Sequence, residues 1–312
     1  MPVSGALRRQ KLGRHIPVLL KEAVDILEVK PENIYIDGTL GGGGFSEEIL
    51  KRLQAEHSDR DGLLIGIDRD AEAVKDVRTK LENEFGKKNF KAINANFSAI
   101  DEIVKAENLK GIDGIVLDLG ISSIQLESGR GFSFNEEGIL DMRMGIETEL
   151  TAYDVVNGYA EKNLADTIWK LGDERFSRKI AKKIVEYRKK KPIETPLELA
   201  SIIRSAVYRG SGKSKRFRTD PATKTFMALR ILINKEYDSL IEFLGKLKYV
   251  LNNGGIAAII SFHSGEDRIV KNFIRENPDF KPVNKKLIVP GDEEINMNPR
   301  SRGAKLRAFY YV

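Results

Sequence analysis

The stretch Ile34–Ser46, IYIDGTLGGGGFS, decides the fold. A short apolar run ends at Asp37, a glycine cluster follows, and Phe45–Leu53 then carries apolar residues at helical spacing. A buried strand that passes through a glycine turn into a helix is typical of the first unit of an open α/β sheet. Glycines at such a turn let backbone N–H groups approach a ligand without obstruction by a Cβ atom.

The strand-to-helix pattern repeats further along the chain. Apolar runs at Leu63–Ile67 and Ile112–Leu117 predict two strands that end directly before Asp68 and Asp118, and Phe90–Ile93 predicts another strand between them. Units of about 30 residues that alternate strand and helix predict a parallel sheet with right-handed crossovers. Because parallel strands end at the same sheet edge, we expect the aspartates to lie together where α/β sheets bind ligands.

The alternation stops between Ile121 and about Arg218, where helical periodicity and loops replace the strands. The α/β pattern then resumes, with predicted strands at Ile256–Phe262, Lys286–Val289 and Leu306–Val312. The length of 312 residues suits two domains. We therefore expect a discontinuous α/β domain over residues 1–125 and 219–312, with a helical insertion over residues 126–218.

Positive charge is concentrated in and around the insertion. The chain has 52 Lys+Arg and 46 Asp+Glu, a formal net charge of +6. Leu171–Arg230 alone has 17 basic and 6 acidic residues, a difference of +11, which leaves −5 for the remainder. Phosphate contacts dominate affinity for nucleic acids, and Phe217 between two arginines suits an unpaired base. The cations expected to bind RNA are Lys213, Lys215, Arg216 and Arg218, unless this charge only solvates a helix face.

Several classes of site are excluded by composition. The chain has no cysteine and only three histidines, so a disulfide framework, thiolate catalysis, and a Cys-ligated or His-rich metal site are not expected. No apolar run approaches the roughly 20 residues that span a bilayer, and the amino terminus lacks a signal-peptide core. We expect a cytoplasmic protein that does not enter the membrane.

The glycine turn also restricts the ligand. Gly38–Gly44 has the pattern G-x-x-G-G-G-G, which matches neither the dinucleotide fingerprint nor the P-loop. The Asp37 carboxylate would repel a pyrophosphate but attract the ammonium group of a methionine moiety. This favours S-adenosyl-L-methionine over NAD, and Asp68 suits the ribose hydroxyls. An NAD-dependent oxidoreductase is the weakest alternative.

A resemblance to one family runs across nearly the whole chain. The segments that carry it are HIPVLL (15–20), YIDGTLGGGGFS (35–46), GIDRD (66–70), GIVLDLGISSIQ (114–125), RGFSF (130–134), LDMRM (140–144), RFSRKIA (175–181), TKTFMALRILIN (223–234), ISFHSGEDRIV (260–270) and NPRSR (298–302). In these segments the chain resembles the bacterial 16S ribosomal RNA cytosine-N(4)-methyltransferases, the MraW or RsmH family.

The resemblance implies a Rossmann-like class I methyltransferase sheet with an inserted helical domain. It implies methylation of the N(4) amino group of one cytidine, position 1402, in the 16S rRNA of the 30S subunit, with S-adenosyl-L-methionine as cofactor. The family's cofactor contacts fall on Gly43, Gly44, Phe45, Asp68, Phe97, Asp118 and Gln125, and the ammonium argument adds Asp37. Two positions depart from the family pattern: Phe45 replaces a histidine and Gly265 replaces a leucine.

The catalytic candidates follow the ends of two strands. Acceptors aimed at the amino N–H groups of cytosine would assist the reaction, so we expect Asp118 to bind the target amine or the cofactor, with Ser122 or Ser123 assisting. After the Ile256–Phe262 strand, His263 and Asp267 are expected to contact the target base or its phosphate. The alternative is that Ser264 and Asp267 form a capping box for the next helix.

Two other functions remain open at the level of sequence. A DNA cytosine-amino methyltransferase shares the chemistry, but its Pro-Pro-aromatic motif is missing after Asp118. An RNA-binding assembly factor with an inactive nucleotide pocket is a non-catalytic alternative. A homodimer is compatible with the sequence, and both free rRNA and an assembled 30S subunit remain open as the substrate.

Overall fold

The computed structural model describes residues 17–55, 62–126, 128–135, 137–145, 148–208 and 219–312. The chain divides into two compact units, which we call the sheet unit (residues 1–120 and 243–312) and the helical unit (residues 121–242). The candidate RNA-binding residues Lys213, Lys215, Arg216 and Arg218 lie outside the described residues.

In chain order the elements are α1 (Leu20–Ile26), β1 (Ile34–Asp37), α2 (Gly44–Leu53), β2 (Leu63–Asp68), α3 (Ala71–Phe85), β3 (Phe90–Asn94), α4 (Ile100–Ala106), β4 (Ile112–Asp118), α5 (Ser123–Leu126), α6 (Ala152–Gly158), α7 (Glu161–Gly172), α8 (Ser177–Arg188), α9 (Pro196–Tyr208), α10 (Ala222–Asn234), α11 (Glu236–Val250), β5 (Leu251–Ser261), α12 (Ser264–Glu276), β6 (Phe280–Pro282), α13 (Asp292–Met297) and β7 (Lys305–Tyr311). Short 3-10 helices lie at Phe97–Ala99 and Pro299–Gly303.

One mixed sheet forms the centre of the sheet unit. Its strand order is β3-β2-β1-β4-β5-β7-β6. The strands β1 to β5 pair in parallel, and β7 runs antiparallel to both of its neighbours. The strands predicted before Asp37, Asp68 and Asp118 are confirmed, and β1 lies between β2 and β4. This order brings the three strand ends together at one edge.

Amphipathic helices cover the sheet. Helix α3 buries Ala73, Val77 and Leu81, which recur every four residues and so lie on one face of the helix. Its amino terminus is capped by Asp70, whose carboxylate accepts hydrogen bonds from the backbone of Glu72 and Ala73. The cap fixes the point at which the chain leaves the β2 end and enters the helix.

The helical unit has its own apolar core and extends further than expected. Phe226, Leu229 and Ile233 of α10 belong to that core. The side chain of Asn234 also fastens a loop of the same unit, since it donates to Met142 O (2.8 Å) and accepts from Met144 N (2.8 Å). The unit therefore ends at residue 242 and not at residue 218.

The penultimate strand lies elsewhere than predicted. Residues 286–289 do not form a strand, and only Ile288 makes an isolated bridge, to Leu306. The strand that pairs with β7 is instead β6, at Phe280–Pro282. Phe280 is buried against Phe309, with ring centroids 5.6 Å apart, and this packing outweighs the stronger apolar pattern further along the chain.

Within the part of the chain that the structure describes, no helix combines the length and apolar character needed to cross a bilayer.

Candidate functional site

The edge of the sheet where the parallel strands end holds a group of carboxylates. Asp37, Asp68 and Asp118 are the last residues of β1, β2 and β4. Glu266, in the first turn of α12, follows the end of β5. Each of these side chains belongs to the sheet unit, so the edge is built within one compact body.

The carboxylate of Asp37 is fully buried and ties the glycine turn to helix α2. Its Oδ2 accepts a hydrogen bond from Ser46 Oγ (2.8 Å), and its Oδ1 accepts one from Thr39 N (3.2 Å). Burial raises the pKa of Asp37 to about 6, although the Ser46 hydrogen bond opposes the rise. The hydroxyl of Thr39 in turn accepts from Asp118 N (2.6 Å), which joins β1 to the end of β4.

Asp68 holds the other side of the glycine turn. Its Oδ2 accepts from Gly41 N (2.8 Å), and its Oδ1 accepts from Asp70 N (2.9 Å). Burial raises the pKa of Asp68 above its ordinary value, against these backbone hydrogen bonds. The carboxylate keeps lone pairs beyond those two bonds, as recognition of ribose hydroxyls requires.

The glycines of the turn have different surroundings. Gly43 has φ +80° at the start of α2, and a Cβ there would lie 2.6 Å from Val77 Cγ1. Gly42 is exposed, and a Cβ there would meet nothing within 4 Å. The turn therefore packs against α3 on one side and leaves open space on the other. The ring of Phe45 is buried in the apolar core, so only its backbone remains for a ligand contact.

Phe97 lies after β3 in a short 3-10 helix and is half-buried. Its ring packs edge-to-face against Phe243, with centroids 5.6 Å apart and planes at 88°. This packing fixes one edge of the ring, while the remaining exposure is compatible with stacking on a flat ligand.

Asp118 has the most unusual environment of the group. Its Oδ1 is shielded from solvent and has no hydrogen-bond partner among the described residues. Burial, followed by the charges of Asp37 and Glu266, raises the pKa of Asp118 well above its ordinary value. A shielded acceptor without a donor is costly to the fold, and a strongly perturbed carboxyl at a ligand-binding edge is typical of a functional residue.

Glu266 organises the turn that follows β5. It is 2% exposed, and its Oε2 accepts hydrogen bonds from Phe262 N (2.9 Å) and His263 N (3.4 Å). Its Oε1 lies 2.8 Å from Nε2 of His263. The helix begins at Ser264 with His263 as N-cap, so the alternative interpretation, a capping box of Ser264 and Asp267, is wrong. The residue that satisfies the free backbone groups is Glu266.

Asp267 points to a different set of partners. Its carboxylate forms ion pairs with Arg307 Nε (2.7 Å) and Lys305 Nζ (3.1 Å) of β7. Burial favours a higher pKa, but hydrogen bonds from Arg307 and Lys305 outweigh it and hold the pKa of Asp267 below its ordinary value. The geometry gives Asp267 a role in joining α12 to β7.

Two further candidates belong to the helical unit and bind each other. Gln125 Oε1 accepts from Ser122 N (3.1 Å), and Ser122 Oγ accepts from Gln125 N (3.2 Å). This reciprocal pair is the S-x-x-Q form of the capping box at the start of α5. Of Ser123, the other candidate in this segment, only the backbone is described.

Comparison with known proteins identifies the family. The MraW methylase family matches residues 13–311. The chain belongs to this family. Proteins called ribosomal RNA small subunit methyltransferase H from Caldicellulosiruptor bescii and Clostridium botulinum are 44% and 43% identical to it, over 94% of this chain and 97% of each relative. The protein of that name from Hydrogenobaculum is 45% identical over 94% of both chains.

The sheet of this MraW methylase agrees with its family. The order β3-β2-β1-β4-β5-β7-β6 with an antiparallel β7 is that of Rossmann-like class I methyltransferases, as the resemblance predicted. S-adenosyl-L-methionine is the cofactor that the family implies. The edge fits this cofactor, because Gly42 borders open space, Asp68 retains acceptor capacity and Asp118 Oδ1 is shielded without a partner.

Sequence reasoning missed Glu266 as a member of this edge. The available signal was the spacing His263-x-x-Glu266, which places an acceptor three residues after the N-cap. The Ser122-x-x-Gln125 spacing was an equally direct signal for the capping pair. Among the described residues, no group of three or more acidic or histidine side chains could hold a metal ion.

Proposed function

We propose that this MraW methylase transfers a methyl group from S-adenosyl-L-methionine to the N(4) amino group of a cytidine in 16S rRNA of the small ribosomal subunit. The observation that carries the proposal is the shielded, unpartnered Oδ1 of Asp118, in a chain whose curated relatives are ribosomal RNA small subunit methyltransferases. Position 1402 is the nucleotide that the family resemblance implies.

The residues around the glycine turn would hold the cofactor. Asp68 would accept hydrogen bonds from the ribose hydroxyls, and the backbone of Gly42–Gly44 would border the methionine part, next to the open space at Gly42. Phe97 would pack on the adenine. Asp37 is buried and accepts hydrogen bonds from Ser46 and Thr39. It would therefore act on the cofactor through its negative charge and by fixing the glycine turn. The sulfonium centre supplies an already activated methyl group.

The protein's part in the transfer is to prepare the amine. The amino lone pair of cytosine is conjugated with the ring, which makes the nitrogen a poor nucleophile. Oδ1 of Asp118 would accept a hydrogen bond from one amino N–H, which favours a pyramidal nitrogen and gives the released proton an acceptor. Its raised pKa suits that second task, since a stronger base keeps the proton better.

The turn after β5 would contribute a second contact. Glu266 accepts a hydrogen bond from the backbone N–H of His263, and its Oε1 lies 2.8 Å from Nε2 of the imidazole. We assign His263 a contact with the target base or its phosphate. Asp267 is committed to Lys305 and Arg307, and we assign it to the fold. Ser122 and Gln125 are proposed to act by shaping the segment after β4.

The basic helical unit is proposed to bind the RNA, and the sheet unit to bind the cofactor. Neutralising Lys213, Lys215, Arg216 and Arg218 together should weaken RNA binding and flatten its dependence on salt. A ribosomal substrate implies a cytoplasmic reaction.

The decisive experiment follows labelled methyl transfer from S-adenosyl-L-methionine to 30S particles that lack the modification, and then maps the modified nucleotide. Deproteinised 16S rRNA and duplex DNA serve as parallel substrates. Label on N(4) of one cytidine of the 30S particle supports the proposal, and Asp118→Asn should abolish it. Label on DNA, or cofactor binding without transfer to any RNA, would overturn the proposal.

A further inference from the structure

A large aromatic side chain is exposed on the helical unit. Trp169, the only tryptophan of the chain, lies in α7 with 53% of its surface accessible. The adjacent residue Ile168 is buried, so the core-facing stripe of the helix passes beside the indole and does not include it. Burying an indole is a large source of apolar stabilisation, and about half of that surface stays exposed to solvent here.

Helices α8 and α10 pack against α7, and each contributes a cation that contacts α7 near Trp169. One turn before it, Asp166 forms an ion pair with Arg178 of α8 (3.0 Å). One turn after it, the main-chain oxygen of Asp173 accepts a hydrogen bond from Lys224 Nζ of α10 (2.7 Å). On α7 itself, the exposed Lys170 directly follows the indole. Positive groups from three helices therefore lie on the turns of α7 around Trp169.

The wider surface has the same sign of charge. Glu161–Lys191 contains 11 basic and 5 acidic residues, a difference of +6. Of those acidic residues, Asp166 is paired with Arg178, and Glu174 is 7% exposed. In a symmetric dimer through this face, a second copy would present the same cationic surface and be repelled by it. A polyanion is the partner that the charge favours.

We propose that Trp169 and the cations around it form a stacking platform for an unpaired base of RNA. An aromatic face beside Lys and Arg is the arrangement by which proteins hold single-stranded nucleic acid, with the base on the ring and the phosphates on the cations. This inference rests on the proposed RNA substrate and names a binding surface for it. None of the residues of this platform belongs to the segment 213–218.

The single tryptophan makes the platform directly observable. All indole emission comes from Trp169, so a base stacked on it should quench the fluorescence of the unlabelled full-length protein. The probes are a short single-stranded oligoribonucleotide, the same sequence annealed as a duplex, and inorganic polyphosphate. We expect strong quenching by the single strand and little by the duplex. Polyphosphate should compete for binding without quenching, because it has charge and no bases.

Variants separate stacking from charge. Trp169→Ala should weaken single-strand affinity by about 5- to 100-fold, which corresponds to the loss of one base–aromatic stack. Trp169→Phe retains an aromatic face and should bind more tightly than Trp169→Ala. Asp166→Asn removes an acidic neighbour and should not weaken binding. Because about half of the indole surface is covered, Trp169→Ala should unfold at a somewhat lower temperature than wild type, and binding is measured well below that temperature.

Tyr249 provides a matched control. It is 71% exposed, and Lys248 Nζ lies 4.8 Å from its ring centroid, but it belongs to the sheet unit. Tyr249→Ala should bind the oligoribonucleotide like wild type. Equal losses in Tyr249→Ala and Trp169→Ala would show a general aromatic effect and would overturn the platform.

Two other results would also overturn it. One is wild-type affinity in Trp169→Ala together with no quenching in the wild-type protein. The other is a wild-type dimer in sedimentation that Trp169→Ala dissociates, which would identify a second copy as the occupant. The proposed function is tested separately: wild-type protein that binds and is quenched, yet methylates no 30S particle, would refute the activity and leave the platform standing.

Discussion

The hydroxyl of Ser46 donates a 2.8 Å hydrogen bond to Oδ2 of Asp37, and both residues are fully buried. Asp37 ends β1 and Ser46 lies in the first turn of α2, so the bond spans the glycine turn. This hydrogen bond keeps the carboxylate of Asp37 in a buried position, and burial raises its pKa to about 6. A charged Asp37 therefore opposes folding at neutral pH, and its presence at this edge is better explained by function than by stability.

Asp37→Asn should make the protein at least as stable as wild type at pH 8. The amide can still accept from Thr39 N and can donate to Ser46 Oγ, while the buried charge is gone. Because the folded pKa lies above the ordinary 3.8, wild type loses stability as pH rises from about 4 to about 6. Urea unfolding should show a gain on the order of 1–3 kcal/mol at pH 8 that vanishes near pH 4.

The same variant tests the link to function. If the charge attracts the cofactor, calorimetry should show weaker binding of S-adenosyl-L-methionine to Asp37→Asn despite its stability. A stability difference that stays constant from pH 4 to pH 8 would contradict the raised pKa.

Alanine at two positions of the glycine turn should separate folding from ligand binding. At Gly38 a Cβ would lie 2.3 Å from Leu117 Cδ2, so Gly38→Ala should lower the free energy of unfolding by about 1–3 kcal/mol. At Gly42 a Cβ meets nothing within 4 Å, and stability should change by less than about 0.5 kcal/mol. Since the cofactor is proposed to occupy that space, Gly42→Ala should bind it at least about tenfold more weakly, a loss of about 1.4 kcal/mol. An unchanged affinity of Gly42→Ala would show that the cofactor does not bind next to Gly42.

The parts of this fold that sequence predicts are those fixed by local pattern. The apolar runs before Asp37, Asp68 and Asp118 predict the parallel strands, since a buried strand needs a continuous apolar segment and its end marks the ligand edge. The helix after Asp70 follows from a different local pattern, because apolar residues at helical spacing form one face that can be buried. These features require no knowledge of distant partners.

The remaining features depend on partners that a linear pattern does not show. The short strand Phe280–Pro282 exists because Phe280 packs on Phe309, which lies 29 positions away in the chain. Periodicity shows that α10 is a helix, but tertiary packing decides that it belongs to the helical unit. In the sequence, Asp267 is an acidic residue just after the β5 strand, which suggests a role in the site. Only the structure shows that its carboxylate pairs with Arg307 of β7.

Glu266 should matter more to stability than the imidazole it holds. Glu266→Ala leaves two backbone N–H groups and His263 without their carboxylate, and should cost about 2–3 kcal/mol in urea unfolding. His263→Ala leaves both backbone bonds in place and should cost about 1 kcal/mol or less. If His263 touches the substrate, His263→Ala should also lower kcat in methyl transfer. A stability loss in His263→Ala as large as that in Glu266→Ala, with normal turnover, would give the histidine a purely structural role.

Asp267→Asn should destabilise the protein without reducing turnover. The change weakens the ion pairs with Lys305 and Arg307, and a loss of about 1–2 kcal/mol is expected at pH 7 for pairs that keep some solvent contact. Because the folded pKa of Asp267 is lowered, its contribution is present above the ordinary value and is lost as pH falls through the folded pKa. The stability difference between wild type and variant should therefore shrink below pH 4. A large fall in kcat with unchanged stability would restore a catalytic role.

The pH dependence of methyl transfer should report the carboxyl of Asp118. Its raised pKa means that the carboxylate form is lost as pH falls through a value well above the ordinary one, so kcat/KM should fall on the acidic side. The charges of Asp37 and Glu266 both help to raise that pKa. Asp37→Asn and Glu266→Gln should therefore each shift the acidic limb to lower pH, measured at temperatures where both variants remain folded. A limb that stays in place in both variants would show that another group controls it, because removing either neighbouring charge must lower the pKa of Asp118.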